Sequence, residues 1–200
     1  MRTYKVLALL LSYPQPDWLQ ALEELEAVLR RERWRNRGAV RHSAGLFDHL
    51  RRNGLVDVQS HYVAMFDNTP EHSLHLYEHL HGESRDRGQA MVSLMAEYRQ
   101  CGLRLSCAEL PDHLPVFLEF LSELPPRQAR RRLGDFLPVL SLLHARLEQA
   151  GSPYAGVLRA LVRLAPGRAT APARRTGGIP GGGTTGGLRL GHGDMSGGVS

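Results

Sequence analysis

The amino-acid sequence predicts an all-α protein, and three observations point to that class. Apolar residues recur at intervals of three and four along most of residues 1–165, the spacing of amphipathic helices. The breaks in this pattern fall at glycine, asparagine and proline, which end helices or begin them. No segment shows the apolar–polar alternation of a half-buried strand. We therefore expect residues 1–165 to form a single compact domain of about eight to ten helices.

Five of these helices are predicted before residue 82. The segment 4–13 is apolar on almost every side, which is typical of a helix buried in a core. In the next segment Asp17 is a candidate N-cap, and Glu26 precedes Arg30 by one turn, an orientation that favours an ion pair. Glycine, alone or with asparagine, then separates the helices. The predicted segments are 4–13, 17–30, 43–52, 55–66 and 73–81, with a break at 36–38.

Four more helices are predicted from residue 84 onward. Ser84 is a candidate N-cap for a long helix that ends before Gly102. Pro111 and Pro115 lie near the first turn of the following helix, where a missing N–H group costs little. Glycine and aspartate at 134–135 predict a stop and a cap, and the serine–proline pair at 152–153 starts the last helix. The predicted segments are 84–101, 111–124, 135–147 and 152–164.

The net charge of +5 belongs mainly to the end of the chain. Residues 166–200 hold four arginines and one acid, which leaves a charge of +2 for residues 1–165. The same segment holds 12 of the 21 glycines and has no helical periodicity, so we expect residues 166–200 to be a disordered tail. A nearly neutral domain disfavours nucleic-acid binding, which requires a clustered basic face.

The sequence also disfavours membrane insertion and secretion. The longest apolar run, residues 6–11, is far shorter than the roughly 20 residues that span a bilayer. No signal peptide opens the chain. The two cysteines, Cys101 and Cys107, cannot build a disulfide framework or, unaided, a zinc site. We therefore expect a cytoplasmic protein with reduced thiols.

Histidines at 72, 75, 79 and 81 form the most conspicuous polar cluster. His75, Glu78 and His79 spell His-x-x-Glu-His, which matches the motif of an inverted zinc hydrolase. Two histidines four residues apart share a helix face and can both ligate Zn²⁺, but a third ligand is not evident. We favour a polar helix edge with hydrogen-bonded histidines and keep the zinc-dependent hydrolase as the alternative function.

Two further clusters allow more than one interpretation. Arg85 and Arg87 flank Asp86 at a predicted helix start. They form either a structural salt-bridge network or a binding site for a carboxylate or phosphate group. The segment 109–115 contains two acids and His113, which suits acid–base chemistry or helix capping. Capping is favoured, because no activated serine or cysteine accompanies the segment.

A third basic cluster lies between residues 127 and 132, where four arginines are grouped. Arginines near a helix end usually form a solvated face that the helix dipole favours. Phosphate binding is an alternative, but the aromatic residues that stack on single-stranded nucleic acid are missing here. From its residues alone, the chain therefore reads as a helical binding module without a catalytic set.

Four of these segments resemble one known family. They are LLLSYP at 9–14, HYVAMFD at 61–67, LHLYEHLHGESRDRGQAM at 74–91 and ELPDHLPVFLEFL at 109–121. Together they resemble the nitrate reductase branch of the TorD-like family of redox-enzyme maturation chaperones. The resemblance runs in order from about residue 4 to residue 165, and the two long motifs are specific.

The resemblance implies an all-helical chaperone with no enzyme activity and no cofactor of its own. Such chaperones bind the apo catalytic (alpha) subunit of a respiratory nitrate reductase in the cytoplasm, partly through that subunit's N-terminal segment. They permit insertion of the molybdenum cofactor and an iron–sulfur cluster before the enzyme docks at the membrane. They are absent from the final complex.

The resemblance also implies which residues bind the client, that is, the apo catalytic subunit. They are Glu109, Asp112, His113, Pro115 and Glu119 in the acidic-Pro-Asp-His segment, the aromatic pair Tyr62 and Phe66, and Arg85, Asp86 and Arg87. The tail at 166–200 departs from the family, whose members continue with a longer, acidic-leaning region. We interpret this departure as a truncation or a shifted reading frame.

Overall fold

The structure, a computed structural model, describes residues 1–32, 38–82, 84–105 and 109–166. These residues form eleven α-helices, with no β-strand among them, so the predicted all-α fold is confirmed. A π-helical turn, Val63–Asp67, and a 3-10 turn, Pro70–His72, follow the fifth helix. The helices are α1 Arg2–Leu11, α2 Pro16–Gln20, α3 Leu22–Arg31, α4 Ala39–Arg52, α5 Leu55–Tyr62, α6 Leu76–His81, α7 Arg85–Gln100, α8 Leu114–Glu123, α9 Pro126–Asp135, α10 Leu137–Gln149 and α11 Ala155–Leu164.

Helix α1 lies in the centre of the core, as its apolar sequence predicts. Seven of its ten residues are buried, and its main packing partner is α8, which buries seven of its own ten. The buried hydroxyl of Tyr62 donates a hydrogen bond to the carbonyl of Leu11 at 2.9 Å, joining α5 to the end of α1. A buried hydrogen bond of this kind contributes about 1 kcal/mol to stability. This contact fixes one wall of the candidate site described below.

Helices α4, α10 and α11 form the second half of the core, with α11 packed against both of the others. The approach of α11 to α4 is very close at Gly156. A Cβ atom built on Gly156 would lie 1.9 Å from the carbonyl oxygen of His42, so glycine alone fits this crossing. Helix α11 begins at Ala155 with Tyr154 as its N-cap, so Ser152 and Pro153 lie just before the helix instead of capping and starting it. The Ser152 hydroxyl accepts a hydrogen bond from the Tyr154 N–H.

Several boundaries differ from the predicted ones. The predicted helix 17–30 is two helices that meet at Ala21, and Asp17 lies in the first turn of α2, whose N-cap is Gln15. Helix α9 was not predicted as a separate element, and residues 134–135 complete it instead of ending one helix and capping the next. The predicted ion pair of Glu26 with Arg30 is present at 2.6 Å, and Arg51 contacts the same carboxylate.

Two sequence predictions lie partly or wholly outside the described residues. The break at 36–38 falls there apart from Gly38, which has a φ of +103° at the start of α4. The predicted disordered tail at 166–200 also falls there, apart from Pro166. Within the described ranges, no helix combines the length and the apolarity that crossing a membrane requires.

Candidate functional site

Asp112 is the most deeply buried charged residue at the junction of α6 and α8, with no exposed surface. Its Oδ2 atom accepts a hydrogen bond from the Tyr77 N–H at 3.1 Å, and its backbone carbonyl accepts one from the Leu76 N–H at 3.0 Å. The first two N–H groups of α6 are therefore satisfied by a residue 36 and 35 positions later in the chain. The sequence predicted a capping role at 109–115, and the structure shows that Asp112 caps α6 rather than the helix that follows it.

Two histidines flank this carboxylate. Nδ1 of His75 lies 3.4 Å from Oδ1 of Asp112, and the rings of His75 and His113 lie 5.1 Å apart where their backbones form an isolated antiparallel bridge. The hydrogen bond to Asp112 raises the pKa of His75 above its usual value, although burial opposes this effect. Burial would raise the pKa of Asp112, but His75 and the Tyr77 N–H hold it below the usual value.

His113 has the opposite electrostatic setting. Burial lowers its pKa, and the carboxylate of Glu109, 3.1 Å from Nδ1, only partly offsets this effect. The two adjacent imidazoles therefore differ in the protonation state that their surroundings favour. The surroundings of His75 favour its protonated, charged form, whereas those of His113 favour its neutral form.

A groove with a cavity of about 440 Å³ opens beside this junction. Its floor and rim come from the end of α1, the end of α5, the following π-helical turn, the segment before α8 and the first turns of α8. The lining side chains are aromatic, acidic and imidazole groups, with no lysine or arginine among them. We call it the acidic groove, and its residues are Ser12, Tyr13, Tyr62, Asp67, His75, Glu109, His113, Pro115, Val116 and Glu119.

Five of the ten residues that the family resemblance singled out line this acidic groove: Tyr62, Glu109, His113, Pro115 and Glu119. Asp112 lies behind it and fixes its wall. Phe66 belongs to the core instead, since it is 6% exposed and packs against Tyr62 and Tyr154 at ring distances of 4.8 and 5.0 Å.

The arginine cluster at the start of α7 is not part of the groove lining. Arg87 donates to Oε1 of Glu78 at 3.0 Å, and the other carboxylate oxygen of Glu78 accepts a hydrogen bond from the Ser73 hydroxyl. This is the structural network that the sequence allowed as one interpretation. Arg85 and Asp86 are exposed in the first turn of α7.

The geometry does not fit the zinc-hydrolase alternative. His75 precedes α6 rather than lying within it, so His75 and His79 do not share a helix face. The ring of His75 faces Asp112, whereas Nε2 of His79 donates to the Ser73 carbonyl at 2.8 Å. Across the ranges that the structure describes, no three histidine, cysteine, aspartate or glutamate residues are grouped to hold a metal ion.

Sequence reasoning missed four lining residues with useful chemistry: Ser12, Tyr13, Asp67 and Val116. Tyr13 is 40% exposed and meets Tyr62 edge to face at 5.6 Å, so the two rings form one aromatic wall. The sequence contains a signal for two of them, because Tyr13 lies in the motif at 9–14 and Asp67 in the motif at 61–67. What the sequence did not reveal was that the end of α1 meets the end of α5.

Comparisons of this sequence with known proteins and with protein-family models point to one family. Residues 15–160 match the family model described as nitrate reductase delta subunit. The chain is 44% identical over 162 residues to the nitrate reductase molybdenum cofactor assembly chaperone NarJ of Escherichia coli K12, a match covering 80% of this chain and 68% of NarJ. It is 41% identical over 165 residues to the probable chaperone NarW of the same strain, covering 82% and 68% of the two chains. The probable NarJ of Bacillus subtilis is 30% identical over 160 residues, covering 80% and 86%. The chain therefore belongs to the nitrate reductase delta subunit family.

Proposed function

We propose that this protein is a cytoplasmic maturation chaperone, without enzyme activity, for a respiratory nitrate reductase. It binds the apo catalytic (alpha) subunit and holds it while the molybdenum cofactor and an iron–sulfur cluster are inserted, before that enzyme docks at the membrane. It does not remain in the final enzyme. This role is supported by the relatives described above, which are known or probable assembly chaperones for the molybdenum cofactor of nitrate reductase.

We place the client's N-terminal segment in the acidic groove. The observation that carries this assignment is the convergence of Tyr62, Glu109, His113, Pro115 and Glu119 on one cavity of about 440 Å³. The aromatic wall of Tyr13 and Tyr62 suits an apolar side chain of a helical or extended segment. Because Asp67, Glu109 and Glu119 line the groove and none of its lining residues is a lysine or arginine, the segment that fits carries lysine or arginine.

Differential binding is sufficient for the chaperone cycle. A protein that binds the cofactor-free, open client more tightly than the mature client shifts the population toward the open form. Once the cofactors are in place, the bound segment folds back onto its own subunit and the complex dissociates. Hydrogen bonds to Asp112 hold the wall of the groove before the client binds, and a preformed groove loses little conformational freedom on binding.

The test is calorimetric titration of the chain with a synthetic peptide from the N-terminus of the nitrate reductase alpha subunit of the same organism. The test variant is Glu109→Gln with Glu119→Gln, since both side chains are exposed and we expect the fold to tolerate their replacement. The matched control is Glu23→Gln with Glu24→Gln, two exposed acids on α3. Rim charges of this kind steer association, so we expect about a tenfold loss of affinity at low salt for the groove variant alone.

Two results would contradict the assignment in different ways. If the peptide binds equally well to the groove variant and the control, the acidic groove is not its site. If neither the peptide nor the whole apo subunit binds the unmodified chain, the chaperone role itself is wrong. A melting curve of each variant separates lost binding from lost folding.

A further inference from the structure

The structure contains a second charged surface, formed by α4, α9 and α11, on which arginines outnumber acidic groups. The contact of Gly156 with the His42 carbonyl brings the start of α4 against α11. Arg159 and Arg163 follow Gly156 along α11 with a spacing of four residues, which places them on one face. Arg41 precedes His42 on α4 and is exposed, as are both arginines of α11.

Helix α9 extends this surface at the end of α11. Nε of Arg130 donates a hydrogen bond to the carbonyl of Leu164 at 3.1 Å, so the rest of its guanidinium lies beside the last turn of α11. We call Arg41, Arg130, Arg159 and Arg163 the basic face. Burial lowers the pKa of His42, which lies under this face, and Arg159, Arg41 and Arg163 lower it further.

Few acidic groups oppose the basic face. In the described part of the chain, Arg41, Arg130 and Arg163 form no ion pair, and Arg159 reaches Glu148 only at 4.0 Å. Helix α11 contains no acid at all. Clustered like charges destabilise a compact fold by repulsion, and a negatively charged partner relieves that repulsion.

We propose that the basic face binds the anionic surface of a phospholipid bilayer. Guanidinium groups form bidentate hydrogen bonds with phosphate oxygens, and these four are presented on exposed helix surfaces, a geometry that suits a broad, flat partner. Among the described residues, the aromatic rings nearest to these arginines in the chain are those of Phe47, Phe136 and Tyr154. All three are buried, so the described residues offer no exposed ring near the basic face for the base stacking that single-stranded nucleic acid needs. Binding is peripheral, because attraction of arginine to anionic headgroups requires no inserted segment.

The experiment is co-sedimentation of the full chain with vesicles of phosphatidylcholine containing about one third phosphatidylglycerol, compared with pure phosphatidylcholine. Each arginine near an anionic surface contributes about fivefold in affinity, so Arg159→Gln with Arg163→Gln is expected to weaken binding about 25-fold. The matched control removes two exposed arginines outside these three helices, Arg99→Gln with Arg104→Gln, and is expected to bind nearly as the unmodified chain does. Binding is also expected to disappear at about 1 M salt, where the screening length falls to about 3 Å.

Three outcomes overturn the proposal. The first is equal sedimentation with charged and uncharged vesicles. The second is an equal loss in the control variant, or a loss in Arg174→Gln with Arg175→Gln when the basic-face variant is unaffected, since these arginines lie in the tail sequence. The third is binding of a single-stranded oligonucleotide through Arg159 and Arg163 without binding to the anionic vesicles, which would make nucleic acid the partner.

Discussion

Replacing Gly156 by alanine tests the packing of the second half of the core. The added Cβ would lie 1.9 Å from the His42 carbonyl oxygen and 2.9 Å from its carbon, whereas real Cβ contacts lie at 3.0 Å or more. Both atoms belong to a helix backbone and cannot rotate away. Helices α4 and α11 must therefore separate by about 1.1 Å at this crossing.

The magnitude follows from two opposing effects. Alanine favours a helix over glycine by about 1 kcal/mol, which offsets part of the cost. A gap of about 1 Å forfeits a quarter to a half of the dispersion energy between the side chains it separates, and overpacking adds about 1–3 kcal/mol of strain. We expect a net loss of about 2–4 kcal/mol in the free energy of unfolding, and a Tm lower by about 5–15 °C.

Urea unfolding followed by circular dichroism measures this loss, and Gly45→Ala is the matched control. Gly45 lies within α4, and nothing lies within 4 Å of the Cβ it would carry. The control is expected to gain about 0.5–1 kcal/mol, because alanine is the better helix former. Equal stability of the two variants, or a Gly156→Ala protein within about 0.5 kcal/mol of the unmodified chain, would refute the close-crossing explanation.

Two further substitutions test the polar contacts of the fold. Asp112→Asn removes the charge that raises the pKa of His75, so we expect an NMR titration to show that pKa falling; an unchanged value would mean that Asp112 does not set it. The raised pKa stabilises the fold fully below the ordinary histidine pKa of about 6.5, and this stabilisation is lost as the pH rises through the folded-state pKa of His75. The variant is therefore expected to lose this pH dependence, together with about 1.5–3 kcal/mol in the free energy of unfolding. Tyr98→Phe removes a buried hydrogen bond of 2.6 Å to the Pro111 carbonyl and is expected to cost about 1–2 kcal/mol in a denaturant melt. Tyr13→Phe, at an exposed ring, is the control, and an equal effect in both variants would show that the Tyr98 hydrogen bond contributes nothing specific.

The predictable elements were those whose signal is local. The segment of α1 is apolar on almost every side, and the serine–proline pair at 152–153 lies just before the last helix, so a few neighbouring residues are enough to predict both helices. Helix α9 was missed because it buries only Ala129 and Leu133, and its arginines mask that short stripe. The net charge of residues 1–165 also does not reveal the charged surfaces, because the acidic groove and the basic face nearly cancel in the sum.

The geometry of the candidate site depends on contacts between distant segments. That Asp112 caps α6 cannot be read from spacing, because an aspartate before a helix is expected to cap the helix that follows. The groove needs the end of α1 beside the end of α5, a pairing set by the core and the Tyr62 hydroxyl. The family resemblance supplied the candidate residues, and the structure shows which of them share a cavity.

The capping of α6 by Asp112 has a consequence for the order in which segments of the chain fold during translation. A helix of six residues is too short to be stable alone, and the acceptor of its first two amide groups, Asp112, follows Leu76 by 36 residues and Tyr77 by 35. We therefore expect α6 to form only after residue 112 has left the exit tunnel. From then on the segments around residues 76 and 112 form and open as one cooperative unit, which slow hydrogen exchange at the Leu76 and Tyr77 amides would register together.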